Sequence, residues 1–383
     1  MTKKTTLGLA LTLILIIQTT SLSAYAITPD VPQDGEKLTI KGVVSPTSSA
    51  LFKIWTAQYQ GLYPGVATKF DTSGTGNVAY QISTKYSYFG VTDVPLSSDQ
   101  SKTKPHPIVI PDSIETVAIV YNLLEFKQSG LKLTGSVLAD IYLGKIAYWD
   151  DKKIHVLNPA IKLPHMRILP LHRLDTSGLT YTFTDYLSSV SNDWKTQVGK
   201  GTIVSWKVGT ADQQLKSDDI LVRNVVNTPY SIGYIDLGNA IKYKSTYAAI
   251  QNADGTNFVI PSLEAATNAA SYASTKLPES NGDWSNVTIV NSHGTNSYPI
   301  VALNSILTYQ ELDKVSGIDK DTAKALIHQI YWEVTDGQQS LAKLKLAPLP
   351  NQIVESDKRG LSTINFKGEQ LFAYDGFVAK PLE

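Results

Sequence analysis

The chain contains no cysteine. That excludes disulfide staples, thiolate nucleophiles, cysteine-ligated metals and lipid attachment through a cysteine. Charge is sparse: 34 Lys and Arg balance 34 Asp and Glu to a formal net charge of 0, and charged residues make up only 18% of the chain. A nucleic-acid binder would show a basic face, and this composition offers none. Beyond the N-terminus no apolar run is long enough to cross a bilayer. Histidine is scarce, at His106, His155, His165, His172, His293 and His328, and none sits in a His-x-x-x-His or His-Glu pair suited to zinc. His172 and His328 are expected to be structural. No Gly-x-Ser-x-Gly elbow occurs, Gly74-Thr75-Gly76 lacks the lysine of a phosphate-binding P-loop, and no Asp-x-Asp-x-Asp-Gly calcium loop is present. The expectation is a protein that is not an enzyme and uses no cofactor or metal.

What is present starts with Lys3 and Lys4, an apolar run Leu7 to Ile17, and Ala24-Tyr25-Ala26. This is the basic, apolar, small-x-small layout of a secretory signal peptide, with cleavage expected after Ala26. The chain is therefore expected to be exported, periplasmic or extracellular, and soluble once cleaved. The remainder suffices for about two domains with their own cores. Asn286-Val287-Thr288 matches a glycosylation acceptor, a pattern frequent by chance.

The dominant local pattern is strand, hydroxyl-rich turn, helix. Leu38–Val44 reads as a strand and Ser45-Pro46-Thr47-Ser48 as a turn, and Leu51, Ile54, Trp55, Tyr59 and Leu62 have helical spacing. Ala67–Phe70, the turn through Thr75, and Val78, Ile82 and Tyr86 repeat the pattern. Phe89–Val91 is a strand ending at Thr92-Asp93. A third instance runs from Arg167–Leu171 through Arg173-Leu174-Asp175-Thr176-Ser177-Gly178 to a helix carrying Leu179, Phe183, Tyr186, Leu187 and Val190. Ser177 or Thr176 can cap that helix, whose first N–H groups have no partner within it. Such groups, with the helix dipole and the Arg173 guanidinium, make an anion site. Asp175 is the odd member, since a carboxylate beside an anion repels it unless the anion carries a proton to donate. The alternative is an ordinary capped helix with an Arg–Asp surface pair; under the anion-site reading Arg173→Ala is expected to weaken binding and leave the fold intact. Thr116–Leu123, Leu221–Val226, Ile232–Ile235 and Ile300–Leu307 read as further strands, and Leu138–Leu143, Leu263–Ala273 and Asp319–Val334 as helices. Alternation of strands and helices points to an α/β fold.

Several runs resemble the extracytoplasmic phosphate-binding proteins of phosphate ABC transporters, the PstS family. They are Asp140-Ile141-Tyr142-Leu143-Gly144-Lys145-Ile146, Trp149-Asp150-Asp151, Leu157-Asn158-Pro159, Phe89 to Ser97 and Arg173 to Gly178. The resemblance extends from Leu38 to about Tyr234, with a weaker echo at Tyr298-Pro299-Ile300. It implies two α/β lobes of the type II periplasmic-binding-protein kind, joined by two crossover strands and closing on one phosphate in the cleft. One lobe would comprise residues 27–113 with 286–383, the other 114–285. Carried over by position, Thr75 supplies a hydroxyl and Asp93 accepts a proton from the phosphate. Arg173 is the single arginine, with Asp175 as its partner, and Ser177 with the N–H groups of Gly178 and Leu179 forms the third turn. The first turn departs from the family pattern: Pro46 falls where a threonine donates, leaving Ser45, Thr47 and Ser48 as candidates. Leu179 likewise replaces a usual threonine. The implied function is a monomeric solute-binding protein that captures inorganic phosphate and delivers it to the ABC transporter permease. Another oxyanion or a phosphate ester, or a secreted phosphohydrolase, are the competing readings.

Overall fold

The structure is a computed structural model that describes residues 28–33, 35, 37–102, 107–209, 215–285 and 287–374, with Thr75 described by its backbone alone. The signal-peptide segment and Asn286 lie outside the described residues. No helix among the described residues is long and apolar enough to cross a membrane.

The chain enters through strand β1 (Leu38–Val44), helix α1 (Ser49–Leu62), strand β2 (Val66–Thr72), helix α2 (Thr75–Ser83) and strand β3 (Phe89–Thr92). β1 pairs in parallel with both β2 and β3. Its first half alternates, with Ile40 buried and Lys41 exposed, and it is buried throughout Gly42–Val44, where β2 and β3 flank it on both sides. Strand β4 (Pro107–Tyr121) is the spine of the molecule: all fifteen of its residues are buried. From Pro107 to Thr116 it pairs antiparallel with the strand Val301–Tyr309, which also pairs with β3. From Val117 to Tyr121 its partner becomes the strand Ser231–Asp236. β4 therefore passes from one half of the sheet to the other at Glu115–Val117, and the two halves carry two helix-covered lobes. This is the two-lobed α/β architecture of type II binding proteins.

The larger core runs through both lobes. A smaller second core packs Leu221, Val222 and Val225 against Val120 and Ile235. These residues contradict one expectation. Leu221–Val226 is not a strand but part of the helix Asp218–Asn227. β-branched residues favour strands, yet Ser217 caps this segment by accepting from the Ile220 N–H, and Asp218 and Asp219 complement the helix dipole. The expected strand over Arg167–Leu171 shrinks to Leu169–Pro170, tied to its neighbour by the Leu169 and Leu171 N–H groups, while the missing N–H of Pro170 falls on the other side, as suits an edge strand.

An aromatic cluster braces the second lobe. Trp206 stacks on His172 with ring centres 4.5 Å apart, and Phe183 stacks on Tyr234 at the same separation. His172 and His328 are structural as expected. Both are buried, His172 against the Arg173 carbonyl and His328 against the Tyr59 hydroxyl.

Besides Asp93 at the end of β3, the first lobe buries Asp112 on β4, Glu333 on the helix Lys320–Val334, and Asp357 on the helix Asn351–Ser362. Asp112 accepts from Ser113 Oγ at 2.6 Å and Glu333 from Gln329 Nε2 at 2.8 Å, while Asp112 Oδ2 and Asp357 Oδ2 have no partner among the described residues. Burial pushes Asp112 up to about 7 and Glu333 up to about 8, and it holds Asp357 well above the ordinary range. The folded state therefore binds protons that the unfolded chain releases at about pH 4. This contribution to stability is full below the unfolded value and is lost as pH rises through the folded values. The melting temperature should fall steadily between about pH 5 and about pH 8. Asp112→Asn should flatten that fall, and a wild-type melting temperature that climbs with pH would contradict it.

Candidate anion-binding site

Three strand-to-helix turns precede α1, α2 and the helix Gly178–Val190, as the sequence pattern anticipates. In the first, Ser45 and Ser48 are buried and satisfy one another: Ser45 Oγ donates to Ser48 Oγ at 3.2 Å and accepts from the Ser48 N–H at 3.4 Å. Thr47 reaches out instead, donating to Asp93 Oδ2 at 2.7 Å. Pro46 between them makes no donation and shapes the turn. The second turn is tied to the first by the Ser49 and Thr72 hydroxyls, 3.2 Å apart, and by the Ser73 N–H donating to the Val44 carbonyl. Thr75 is the first residue of α2, at the helix end that presents unpaired N–H groups.

The third turn belongs to the other lobe. Ser177 caps the helix Gly178–Val190, its Oγ accepting from the Thr180 N–H, and the Ser177 N–H donates to the Thr202 carbonyl. Of the two expected caps, Ser177 is the one used. Tyr234 steadies the turn from behind: its hydroxyl accepts from the Arg173 N–H at 3.1 Å and lies 2.7 Å from Thr180 Oγ1.

Asp93, 2% exposed at the end of β3, lies against the first turn of that helix. A Cβ at Gly178 would overlap its carboxyl group, with Oδ1 only 2.7 Å away and the other carboxyl atoms nearer. Thr47, Asp93 and Gly178 are thus brought together from two lobes, and the described conformation is closed. Beside this contact a mostly apolar cavity is lined by Asp93, Leu96, Trp284 and Leu303 together with Tyr181 and Thr182 from the second turn of the helix. Thr288 Oγ1 donates to Asp185 Oδ2 at 2.7 Å on the same helix.

Arg173 is more committed than the sequence suggested. Its Nε and Nη2 each donate to Asp175 at 2.7 Å, its Nη1 donates to Asp218, and Nη2 also lies 3.5 Å from the Lys216 carbonyl. Burial opposes its charge, but the two carboxylates overcome this and keep the guanidinium firmly charged. Burial also pushes Asp218 up to about 6, with Arg173 drawing it partly back. Of roughly five N–H donors on a guanidinium, about one remains uncommitted. Arg173 therefore keeps a single donor in reserve, too few for a two-pronged clamp.

Sequence reasoning missed Asp218, Tyr234 and Glu115. Asp218 lies 45 residues from Arg173, and only its place after a helix-capping serine marked it. Glu115 stood one residue before the expected strand Thr116–Leu123 and gave no chemical signal; the structure places it inside β4. Among the described residues no group of three or more His, Cys, Asp or Glu side chains could hold a metal ion.

Comparison with known proteins agrees with this architecture. The PBP superfamily domain matches residues 28–329. The phosphate-binding protein PstS of Methanocaldococcus jannaschii is 33% identical over 325 residues, 81% of this chain and 82% of that protein. The PstS of Xylella fastidiosa strain Temecula1 is 35% identical over 342 residues, 88% of each chain. Among solved structures, the high-affinity periplasmic phosphate-binding protein PfluDING, bound with phosphate, superimposes with a TM-score of 0.62 at 18% identity, covering 84% of this chain and 93% of that one. At that identity the superposition speaks for the fold alone. The sequence relatives go further: this chain belongs to the PstS family.

Proposed function

We propose that this protein is a solute-binding protein that captures inorganic phosphate between its lobes and delivers it to the permease of a phosphate ABC transporter. The observation that carries this reading is the buried Asp93 carboxylate of one lobe lying against the N-terminus of the Gly178 helix of the other. Helix N–H groups and Arg173 favour an anion, whereas a carboxylate tolerates one only when a proton lies between them. Phosphate has both features. The family is one of transport receptors, and capture needs no covalent step. The anion ligands would be a first-turn group among Ser45, Thr47 and Ser48, then Thr75, Asp93, Arg173, Ser177, and the N–H groups of Gly178 and Leu179. Thr47 also holds Asp93, and Asp175 holds Arg173. The lobes would comprise residues 27–113 with 286–383 and residues 114–285, so that Thr288 and Asp185 would form an interlobe latch. The protein would act as a monomer outside the cytoplasm after losing residues 1–26.

Competition calorimetry tests this. Wild type should bind phosphate and arsenate and reject sulfate by about 10⁴-fold, because sulfate has no proton for Asp93 and the site is built to receive one. Asp93→Asn should narrow the gap, since its amide can donate to an unprotonated oxygen. Equal binding of sulfate and phosphate by wild type would remove Asp93 as an acceptor and the phosphate reading with it.

A further inference from the structure

Glu115 sits where β4 passes from its pairing with Val301–Tyr309 to its pairing with Ser231–Asp236. It is 1% exposed, and its Oε2 has no hydrogen-bond partner among the described residues. Three carboxyl groups act on it: Asp93 from the end of β3, Asp236 from the end of the strand Ser231–Asp236, and Asp218 from the first turn of its helix. These come from both lobes. Among the described residues no cation acts on it. Arg173, the cation of the site, is already held by Asp175 and Asp218. The other elements packed on β4 bring no compensation. Glu333 and Asp357, the latter near Arg359, face Asp112 further along the strand. Asp185 is bound by Lys200 and Thr288, and Lys242 and Arg223 are tied to Asp219 on the exposed side. Glu264 at the start of its helix is exposed.

We propose that Glu115 couples phosphate capture to the uptake of one proton, so that this cleft binds phosphate more tightly as the medium becomes more acid. The inference rests on the reading of phosphate capture given above. In the open form water reaches the crossover, and Glu115 ionises as an ordinary carboxylate. Closing the lobes removes that water and gathers Asp93, Asp218 and Asp236 around it, with the phosphate adding further negative charge. A carboxylate there would be an unpaired charge in a low-dielectric site. The group therefore takes a proton from solvent as the lobes close and returns it as they open. Burial first, and then the three carboxylates, hold it well above the ordinary carboxyl range in the closed form. Because the closed form carries the extra proton, acid favours closure and alkali favours release. Over the interval between the open and closed values the affinity falls by up to about tenfold per pH unit.

The test is titration calorimetry of wild type and Glu115→Gln with inorganic phosphate, at one pH near neutrality, in two buffers of different ionisation enthalpy. The dependence of the heat on buffer counts the protons exchanged. Phosphate and the other carboxyls contribute alike in both proteins, so the difference belongs to Glu115. Wild type should take up close to one more proton than Glu115→Gln, and its affinity should fall more steeply as pH rises. Glu115→Met, which cannot ionise, should lose the same proton, so the result does not depend on how glutamine packs. Phosphate binding with equal proton counts in all three proteins overturns the role of Glu115 and leaves phosphate capture standing. Absence of phosphate binding by wild type overturns both.

Discussion

Gly178→Ala is expected to weaken phosphate binding by about 5- to 150-fold, toward the upper end, without lowering the stability of the free protein. The cause is a collision between lobes. A Cβ on Gly178 would enter the space of the Asp93 carboxyl group, which is buried and already accepts from Thr47. Overpacking of this kind costs about 1–3 kcal/mol, and each 1.4 kcal/mol is about tenfold in affinity. Asp93 cannot retreat without giving up its bond to Thr47. In the open form the two residues are apart and the collision vanishes. Alanine is also the better helix former by up to about 1 kcal/mol, so the helix Gly178–Val190 loses nothing. Calorimetry gives the affinity, and a thermal melt without ligand gives the stability. Unchanged affinity would mean that capture does not require Asp93 to approach this helix.

Arg173→Ala should damage folding as well as binding. From the sequence alone the pair with Asp175 resembles an exposed turn contact whose loss leaves the fold intact. The structure adds Asp218 and buries the guanidinium to 8% exposure. Removing the cation leaves two carboxylates facing each other in a partly buried turn. Breaking a buried pair from one side costs about 3–5 kcal/mol. At about 2–4 °C per kcal/mol, the melting temperature should drop by at least about 6 °C. Binding should fall a further 10- to 150-fold or so, the worth of about 1.5–3 kcal/mol for one charge-assisted hydrogen bond. The added substitution Asp218→Asn should restore much of the melting temperature and none of the affinity. If Arg173→Ala melts as wild type does, the pairing with Asp218 contributes nothing to the fold. If the double variant regains affinity, Arg173 does not reach the anion.

The sequence by itself determined the parts whose causes are local. Periodicity and caps marked the helix after Ser177, the strands β1 and β3, and β4 only from Thr116 onward, its first nine residues being missed, because backbone geometry repeats every few residues along the chain. Hydroxyl-rich turns before helices marked Ser45–Ser48, Thr75 and Ser177, though only Ser177 makes a cap bond, α1 and α2 having none. The motifs from Phe89 to Gly178 named the family. Local preference also misled, at Leu221–Val226, where β-branched residues outweighed a capping serine three positions from the first of its bonds. What only the tertiary structure decided depends on groups far apart in the chain. Thr47, not Ser45 or Ser48, turns to Asp93 across 46 residues, because packing buries the two serines against each other. Asp218 joins Arg173 across 45 residues. Glu115 became a charge problem only when the fold buried it, and then set it near three other carboxyl groups. Burial and electrostatics depend on distance in space, and a one-dimensional string holds no distance until the chain has folded.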